Sequence, residues 1–380
     1  MKLSTLREVR AVGRWFNRSR KRDDEPPPKA TSSGPVIEIT VTQGGRSTTE
    51  TVGGPVAFGL QYHAYHEQYG ATDTRTLEAG SRYAQELMRG NDVAEAVAVY
   101  QEIVGLRSSA LGPEHPDTLR SKHSLAFALW QRGSHAEAER VQRDVYAARR
   151  RVLGDEDAET LRSGNNLGWL LIELGRLDEA EPLLRRVADG MARTLGRDDA
   201  DTLTCQLKLA GIQHLQGRSQ QAEQALRDVV KRMTRTLGPI SPVSLQARSN
   251  LLVVLLDNGR AAEAVDAART LADDAGRALS NTDGVRLHAQ HSLARALDGV
   301  GRRAEAIRLL ADTLPDSERG RGADHPATLE MRTLFALLLV EQGDPRAGRE
   351  ARAALAACER VHGPTHPHTE KARALVRLTR

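Results

Sequence analysis

An all-α fold is predicted, a right-handed α-α superhelix of about seven helix-turn-helix repeats, and three observations predict it. Leucine returns every 42 residues, at Leu77, Leu119, Leu161, Leu203, Leu245, Leu287 and Leu329. Glycine keeps the same step at Gly133, Gly175, Gly217, Gly259, Gly301 and Gly343. So does a small-residue column at Ala96, Ala138, Ala180, Ala222, Ala264 and Ala306, with Gly348 in the seventh place. Columns in one register are the mark of an architecture in which each repeat is one supersecondary module.

Residues 1–35 come first and stand outside the repeat, as a basic tail and linker expected to be disordered. Residues 1–22 hold eight Lys or Arg and one Glu, whereas the whole chain has a net charge of +4, so the remainder is close to neutral. That weakens a nucleic-acid role for the folded part, because such domains carry a basic stripe on the fold itself. Leu3, Leu6, Val9, Val12, Trp15 and Phe16 against Lys2, Arg7, Arg10, Arg14 and Arg18 have the composition of an amphipathic anchor for an anionic membrane, or of a basic arm. A stripe spaced at threes drifts around a helix, which favours a plain basic tail. Pro26, Pro27 and Pro28 mark the linker.

Residues 36–71 read as a β-hairpin and a capping helix. Val36 to Thr42 alternates apolar and polar, and Gly44-Gly45 turns it back into Ser47 to Val52. An isolated hairpin is marginal in water, so it either docks on the first repeats or adds to a partner's sheet. Residues 55–70, with Tyr62, Tyr65 and Tyr69 at helical spacing, predict a helix that covers the open end of the stack.

Residues 72–380 carry the repeats and a C-terminal capping helix. Each unit predicts two helices. Thr160-Leu161 opens about 14 residues with Leu167, Leu170, Leu171 and Leu174 on one face, and Gly175 ends them in a left-handed turn. The second helix runs from about Asp178 to about Leu195, with Ala180, Leu183, Leu184, Val187 and Met191 as its stripe. Polar linkers such as Leu111-Gly112-Pro113-Glu114-His115-Pro116-Asp117 close the units. His115, His325 and His366 each precede a Pro there, which predicts a cap or turn role. Arg149, Arg150 and Arg151 end a second helix and oppose its dipole. One hairpin cannot bury its apolar face alone, and stacking does so, leaving a concave side.

These residues resemble a known family. Leu167-Gly168 followed by Ala180 is similar to the Leu-Gly and Ala pattern of the tetratricopeptide repeat. The period, the linker at 111–119 and Asn165-Asn166-Leu167-Gly168 before Gly175-Arg176-Leu177-Asp178-Glu179-Ala180-Glu181 resemble the kinesin light chain type of that repeat. The resemblance covers roughly 72–380. It implies a protein or peptide partner held extended in the concave groove, with groove asparagines on its backbone. Asn166 and Asn250 match those positions and Asn165 matches the one before, whereas Ser124, Lys208, Ser292 and Leu334 replace the asparagine elsewhere.

The residues themselves mark the same face. Positions two, five, six and nine after the Thr-Leu start are not needed by the packing columns, and they hold Arg120 and His123, then Arg162, Asn165, Asn166 and Trp169, then Lys208, Gln246, Asn250 and Arg295. These ten are the candidate partner-binding residues. Arg120, Arg162, Lys208 and Arg295 favour an acidic ligand, since Arg grips carboxylates with two parallel hydrogen bonds. The competing explanation is a polar face that is merely solvated.

Other chemistry finds little support. His63/His66 and His288/His291 have a spacing that suits two metal ligands, but no Cys or carboxylate is placed in sequence to complete a set, so a structural role is expected. Cys205 and Cys358 are too few and too distant for a disulfide framework or zinc site. No phosphate loop, nucleophile elbow or HExxH stretch is present. A non-enzymatic cytoplasmic scaffold without cofactors is therefore expected, with no transmembrane span. The alternative is a regulator whose residues 1–22 contact nucleic acid or an anionic membrane.

Overall fold

The structure, a computed structural model, describes residues 37–43, 46–364 and 366–379, with the backbone alone for 37–52 and 362. The tail and linker expected over 1–35, and the Gly44-Gly45 turn, lie outside the described residues. The helical chain forms two compact units, one ending at Arg197 and the other beginning at Asp198.

The first unit opens with antiparallel strands β1 (Ile37–Gln43) and β2 (Arg46–Val52), in which Ile37 faces Val52 and Gln43 faces Arg46. Helix α1 (Gly54–Tyr69) packs on α2 (Thr74–Arg89), where Tyr62 is 3% exposed and stacks on Tyr83 with centroids 6.4 Å apart. Tyr65 and Tyr69 meet edge to face at 5.4 Å, and the Arg75 guanidinium covers the Tyr69 ring. Three helix pairs then follow: α2 with α3 (Val93–Leu111), α4 (Pro116–Gln131) with α5 (His135–Leu153), and α6 (Ala158–Glu173) with α7 (Leu177–Thr194).

The second unit holds α8 (Ala200–Leu215) with α9 (Ser219–Leu237), α10 (Pro242–Asp257) with α11 (Ala261–Ala278), α12 (Gly284–Gly299) with α13 (Arg303–Arg321), and α14 (Pro326–Gln342) with α15 (Ala347–His362). Helix α16 (Pro367–Leu378) packs on α15 and α14 and closes it. In both units consecutive helices pack as α-α hairpins stacked one on the next, as the period demands.

The columns explain themselves in space. The seven periodic leucines are all at most 4% exposed, and Ala96, Ala138, Ala180, Ala222, Ala264 and Ala306 are all fully buried. Burying one leucine is worth about 1.5–3 kcal/mol. Where threonine precedes the leucine it is buried, and its hydroxyl has no fixed partner: Thr118 Oγ1 donates to the Gly112 carbonyl at 2.9 Å and Thr76 Oγ1 to that of Tyr65 at 3.0 Å, while Thr369, before Glu370 in the closing helix, repeats the Thr118 bond to the Gly363 carbonyl at 2.8 Å. The seventh unit departs from the column. Its second helix starts only at Ala347, after Pro345, so Ala347 and Ala351 take the buried places (7% and 0%) and Gly348 is half-exposed.

First helices are capped at one repeated position. Asp73, Asp157, Asp199 and Asp283 accept from the backbone N–H two residues on, and Ser241 from that of Ser244. His115, His325 and His366 do the same through Nδ1, each at 3.2 Å, so the expected cap role is what the structure shows. Two glycine classes end the helices. Gly343 is left-handed (φ 68°, ψ 27°), whereas Gly154 in a linker has φ 91° and ψ 166°, a region open to glycine almost alone. In the first repeat Asn91, at φ 69°, replaces the column glycine.

Ion pairs 36 to 38 residues apart stitch neighbouring hairpins, among them Arg193 to Glu156 (2.8 Å) in the first unit and Arg227 to Glu263 (2.6 Å) and Arg360 to Asp324 (2.6 Å) in the second. Being exposed, each is worth about 0–1 kcal/mol, so the leucine and alanine columns hold the stack and the charges trim its register. Arg149 corrects the helix-dipole expectation. It is 6% exposed and donates to Ser163 Oγ at 2.7 Å and to the Glu159 carbonyl at 3.1 Å, joining α5 to α6. Burial pulls its pKa down, and the Glu159 carboxylate opposes that. Arg107 and Ser121, one period earlier, form the same pair.

Candidate functional site

Positions two, five, six and nine are presented by first helices, and the structure sorts them by depth. In the first unit, Arg120 on α4 and Arg162 on α6 are exposed, each paired with a carboxylate one turn back: Asp117 at 3.0 Å and Glu159 at 3.0 Å. Asn166 and Trp169 are half-buried and follow Arg162 at four and seven residues, which puts all three on one helical face. Trp169 is held by Trp130, edge to face with centroids 4.7 Å apart, and Phe127 stacks on Trp130 in turn. The result is an indole fixed by its neighbours on the helical face that also carries Asn166 and Arg162.

Two candidates of this unit point elsewhere. His123 Nδ1 lies 2.9 Å from Gln142 Oε1, and Gln142 Nε2 donates to the Ser163 carbonyl at 3.0 Å, a buried chain from α4 through α5 to α6. Nδ1 must carry the proton for that chain to close. Asn165 is 6% exposed, inside the stack. Both belong more to the packing than to an open surface.

In the second unit, Lys208, Gln246 and Asn250 are only 4–6% exposed. Gln246 Nε2 donates to Asn250 Oδ1 at 2.8 Å. Arg295, half-buried, donates to Asp257 Oδ1 at 3.0 Å, and the other oxygen of that carboxylate lies 3.1 Å from His214 Nε2. Burial raises the pKa of Asp257, but the hydrogen bonds and charges of His214 and Arg295 outweigh it and hold the carboxyl below the usual range. This triplet was not legible in sequence, because Asp257 and His214 stand 43 residues apart, off the 42-residue step. The His288/His291 pair has ring centroids 6.4 Å apart, and among the described residues no group of three His, Cys, Asp or Glu is placed to hold a metal ion. No helix of the described residues is long and apolar enough to cross a membrane.

Models of the tetratricopeptide repeat match residues 78–151, 122–191 and 159–235, then 214–278, then 286–327 and 328–368. The chain belongs to the tetratricopeptide repeat family. It is 31% identical to a Podosopora anserina protein of nearly identical tetratricopeptide-like repeats assigned to the kinesin light chains, over 54% of this chain and 97% of that one, with a TM-score of 0.48. A tetratricopeptide repeat protein from Parabacteroides merdae is 13% identical over 84% of this chain and 99% of its own, with a TM-score of 0.52. The Rap conjugation gene regulator of plasmid pLS20, in complex with the Phr* peptide, is 15% identical over 80% of this chain and 78% of that one, with a TM-score of 0.53. These two likenesses show a shared tetratricopeptide repeat fold. No curated protein matches the chain in sequence.

Proposed function

We infer that this tetratricopeptide repeat protein is a non-catalytic scaffold that binds a peptide or protein segment on its first-helix face. The observation that carries the reading is the Arg162, Asn166 and Trp169 face of α6, where a half-buried indole already ordered by Trp130 shares one helical face with an amide and a guanidinium group. A pre-fixed aromatic anchor loses little entropy on binding, which is why Trp and Arg dominate binding hot spots. Asn166 supplies both a donor and an acceptor to a peptide backbone. Arg120 and Arg162 add attraction for acidic residues, tempered by their own carboxylate partners. The peptide complex of the Rap regulator gives the fold a precedent for such a ligand.

The test is peptide display selection against the full chain, followed by titration of the selected peptides. Ligands with an acidic or aromatic residue are expected, and Trp169→Ala or Asn166→Ala should weaken them about tenfold or more with unchanged circular dichroism. Arg120→Glu with Arg162→Glu should reverse the preference for acidic sequences. Lys208 is unsuitable for charge reversal, because at 4% exposure a new carboxylate there would disturb the fold. Selection of no peptide, or binding indifferent to Trp169 and Asn166, would refute the reading.

A further inference from the structure

Helix α1 is the end helix of the first unit, yet its composition is not that of an end. Over residues 54–69 Glu67 is the one charged side chain with His neutral, and the helix is apolar on both sides. Its inner side is packed on α2: Ala57 and Tyr62 are at most 3% exposed, and a Cβ on Gly59 would meet the Tyr83 ring at 3.1 Å. Its outer side carries Val56 and Leu60, 58% and 41% exposed, with Ala64 exposed one turn further on. Steps of four residues put these three on one stripe. Val56 is the most exposed large apolar side chain of the described residues.

Single exposed apolar residues are ordinary. A helix that is apolar all round, however, is a buried helix, and the terminal helix of a stack needs a polar outer face. Helix α16, which ends the second unit, has one: Glu370, Lys371, Arg373 and Arg377 alternate with the buried Thr369, Ala372 and Leu375. Helix α1 is thus built as an inner layer, and its outer stripe calls for a cover.

Chain connectivity says which cover is at hand. Ile37 pairs with Val52 in the hairpin, and only Gly53 separates Val52 from α1. Residues 1–36 therefore join the described structure next to the start of α1, where Val56 stands. Residues 23–36 alone span up to roughly 45 Å when extended, whereas α1 is roughly 24 Å long, so residues 1–22 can reach the whole stripe. Their chemistry fits it. Leu3, Leu6, Val9, Val12, Trp15 and Phe16 supply apolar side chains, and eight Lys or Arg against one Glu supply positive charge. Residues 54–111, which make up α1 and the first helix pair, hold seven Asp or Glu and four Arg, the opposite sign. Opposite charges hold the segment near, and burial of apolar surface seats it. A second copy meeting stripe to stripe would instead bring like charge to like charge.

We propose that the outer face of α1 is the docking site for residues 1–22 of the same chain, whose apolar side chains cover Val56, Leu60 and Ala64. The proposal is independent of the peptide reading. Docked in this way, the segment closes the open end of the first unit, and the side chains that would anchor it to a membrane are covered by the protein itself.

The test places a photoreactive side chain on the stripe. The full chain with Leu60→p-benzoylphenylalanine is illuminated at micromolar concentration, and the cross-linked peptides are identified by mass spectrometry. The expected product has the mass of one chain and joins position 60 to a peptide within residues 1–22. Trp15→Ala with Phe16→Ala should lower its yield several-fold and lower the thermal unfolding midpoint, because two large apolar side chains leave the contact. Circular dichroism should not change. A product of twice the mass, joining position 60 to a second copy, overturns the proposal, as does a cross-link confined to the hairpin at 37–52. Full yield in the Trp15→Ala, Phe16→Ala variant overturns it too. So does an equal yield of cross-links to residues 1–22 from Arg185→p-benzoylphenylalanine, exposed on α7, which would mark random collision of the segment.

Discussion

The Nε2 of His214 stands 3.1 Å from Oδ2 of Asp257, linking the end of α8 to the end of α10 across 43 residues. His214 Nδ1 lies 3.2 Å from Ser219 Oγ, and the ring donates to the Asp257 carboxylate through Nε2. Arg295 reaches the same carboxylate from α12 at 3.0 Å. Asp257 is the last residue of its helix, where the dipole disfavours a negative charge, and the two donors offset that.

Asp257→Asn should therefore lower stability by about 1–3 kcal/mol at neutral pH, the range for hydrogen bonds to a charged group. The pH dependence has a definite sign. The folded-state pKa of Asp257 is depressed, so its contribution is full above the unfolded carboxylate value of about 3.9 and is lost as pH falls through the folded value. Urea unfolding of both proteins at pH 7 and near pH 3 should show the gap between them closing on acidification. A gap of constant size would mean that the carboxylate charge is not what matters.

Arg149 and Ser163 make a second case, because the repeat itself supplies the replacement. One and two periods on, the Arg149 column holds Met191 and Met233 and the Ser163 column holds Cys205 and Ala247. Removing one partner of a buried charge is harsher than replacing both. Ser163→Ala alone is expected to cost about 1–3 kcal/mol, while Arg149→Met with Ser163→Ala should lie within about 1 kcal/mol of the parent. Chemical denaturation of the two single variants and the double variant decides it, and strict additivity would count against the pairing.

Much of this was legible in the sequence, and the boundary of legibility is physical. Columns that pack against their own copies leave a signal at a fixed step, so the leucines and the alanines were readable, and the capping role of His115 followed from its place before Pro116. Depth was not readable. Positions two, five and six look free on one helix, but a neighbouring first helix buries them in the second unit, as the 5% exposure of Asn250 shows. Asn166, at the same position, stays half-exposed, so identity of residue and column did not decide which asparagine is open. The late start of α15 was hidden because Pro345 alone displaces it.

The caps offer an improvement that the sequence itself suggests. His115 accepts the Asp117 N–H at 3.2 Å, where Asp157 in the next repeat makes the equivalent bond at 2.8 Å. A carboxylate at a helix N-terminus also gains from the dipole, which a neutral imidazole does not. His115→Asp should raise stability by about 0.5–1 kcal/mol, read as a higher midpoint in thermal unfolding. A lowered midpoint would show that the imidazole makes packing contacts that the cap argument omits.

The two glycine classes separate most sharply under one substitution. Asparagine visits the left-handed region readily, and Asn91 does so here at φ 69° in the place of a column glycine. Gly343, at φ 68° and ψ 27°, should accept asparagine at a cost of about 1 kcal/mol or less. Gly154, at φ 91° and ψ 166°, lies where any Cβ is strained, so Gly154→Asn should cost about 1–3 kcal/mol. Nothing crowds a Cβ at either site, so the difference between the variants measures backbone conformation and not packing. Equal losses in paired urea titrations would show that the linker relaxes out of its glycine-only geometry, and with it that the Leu-Gly step does not set where each new repeat begins.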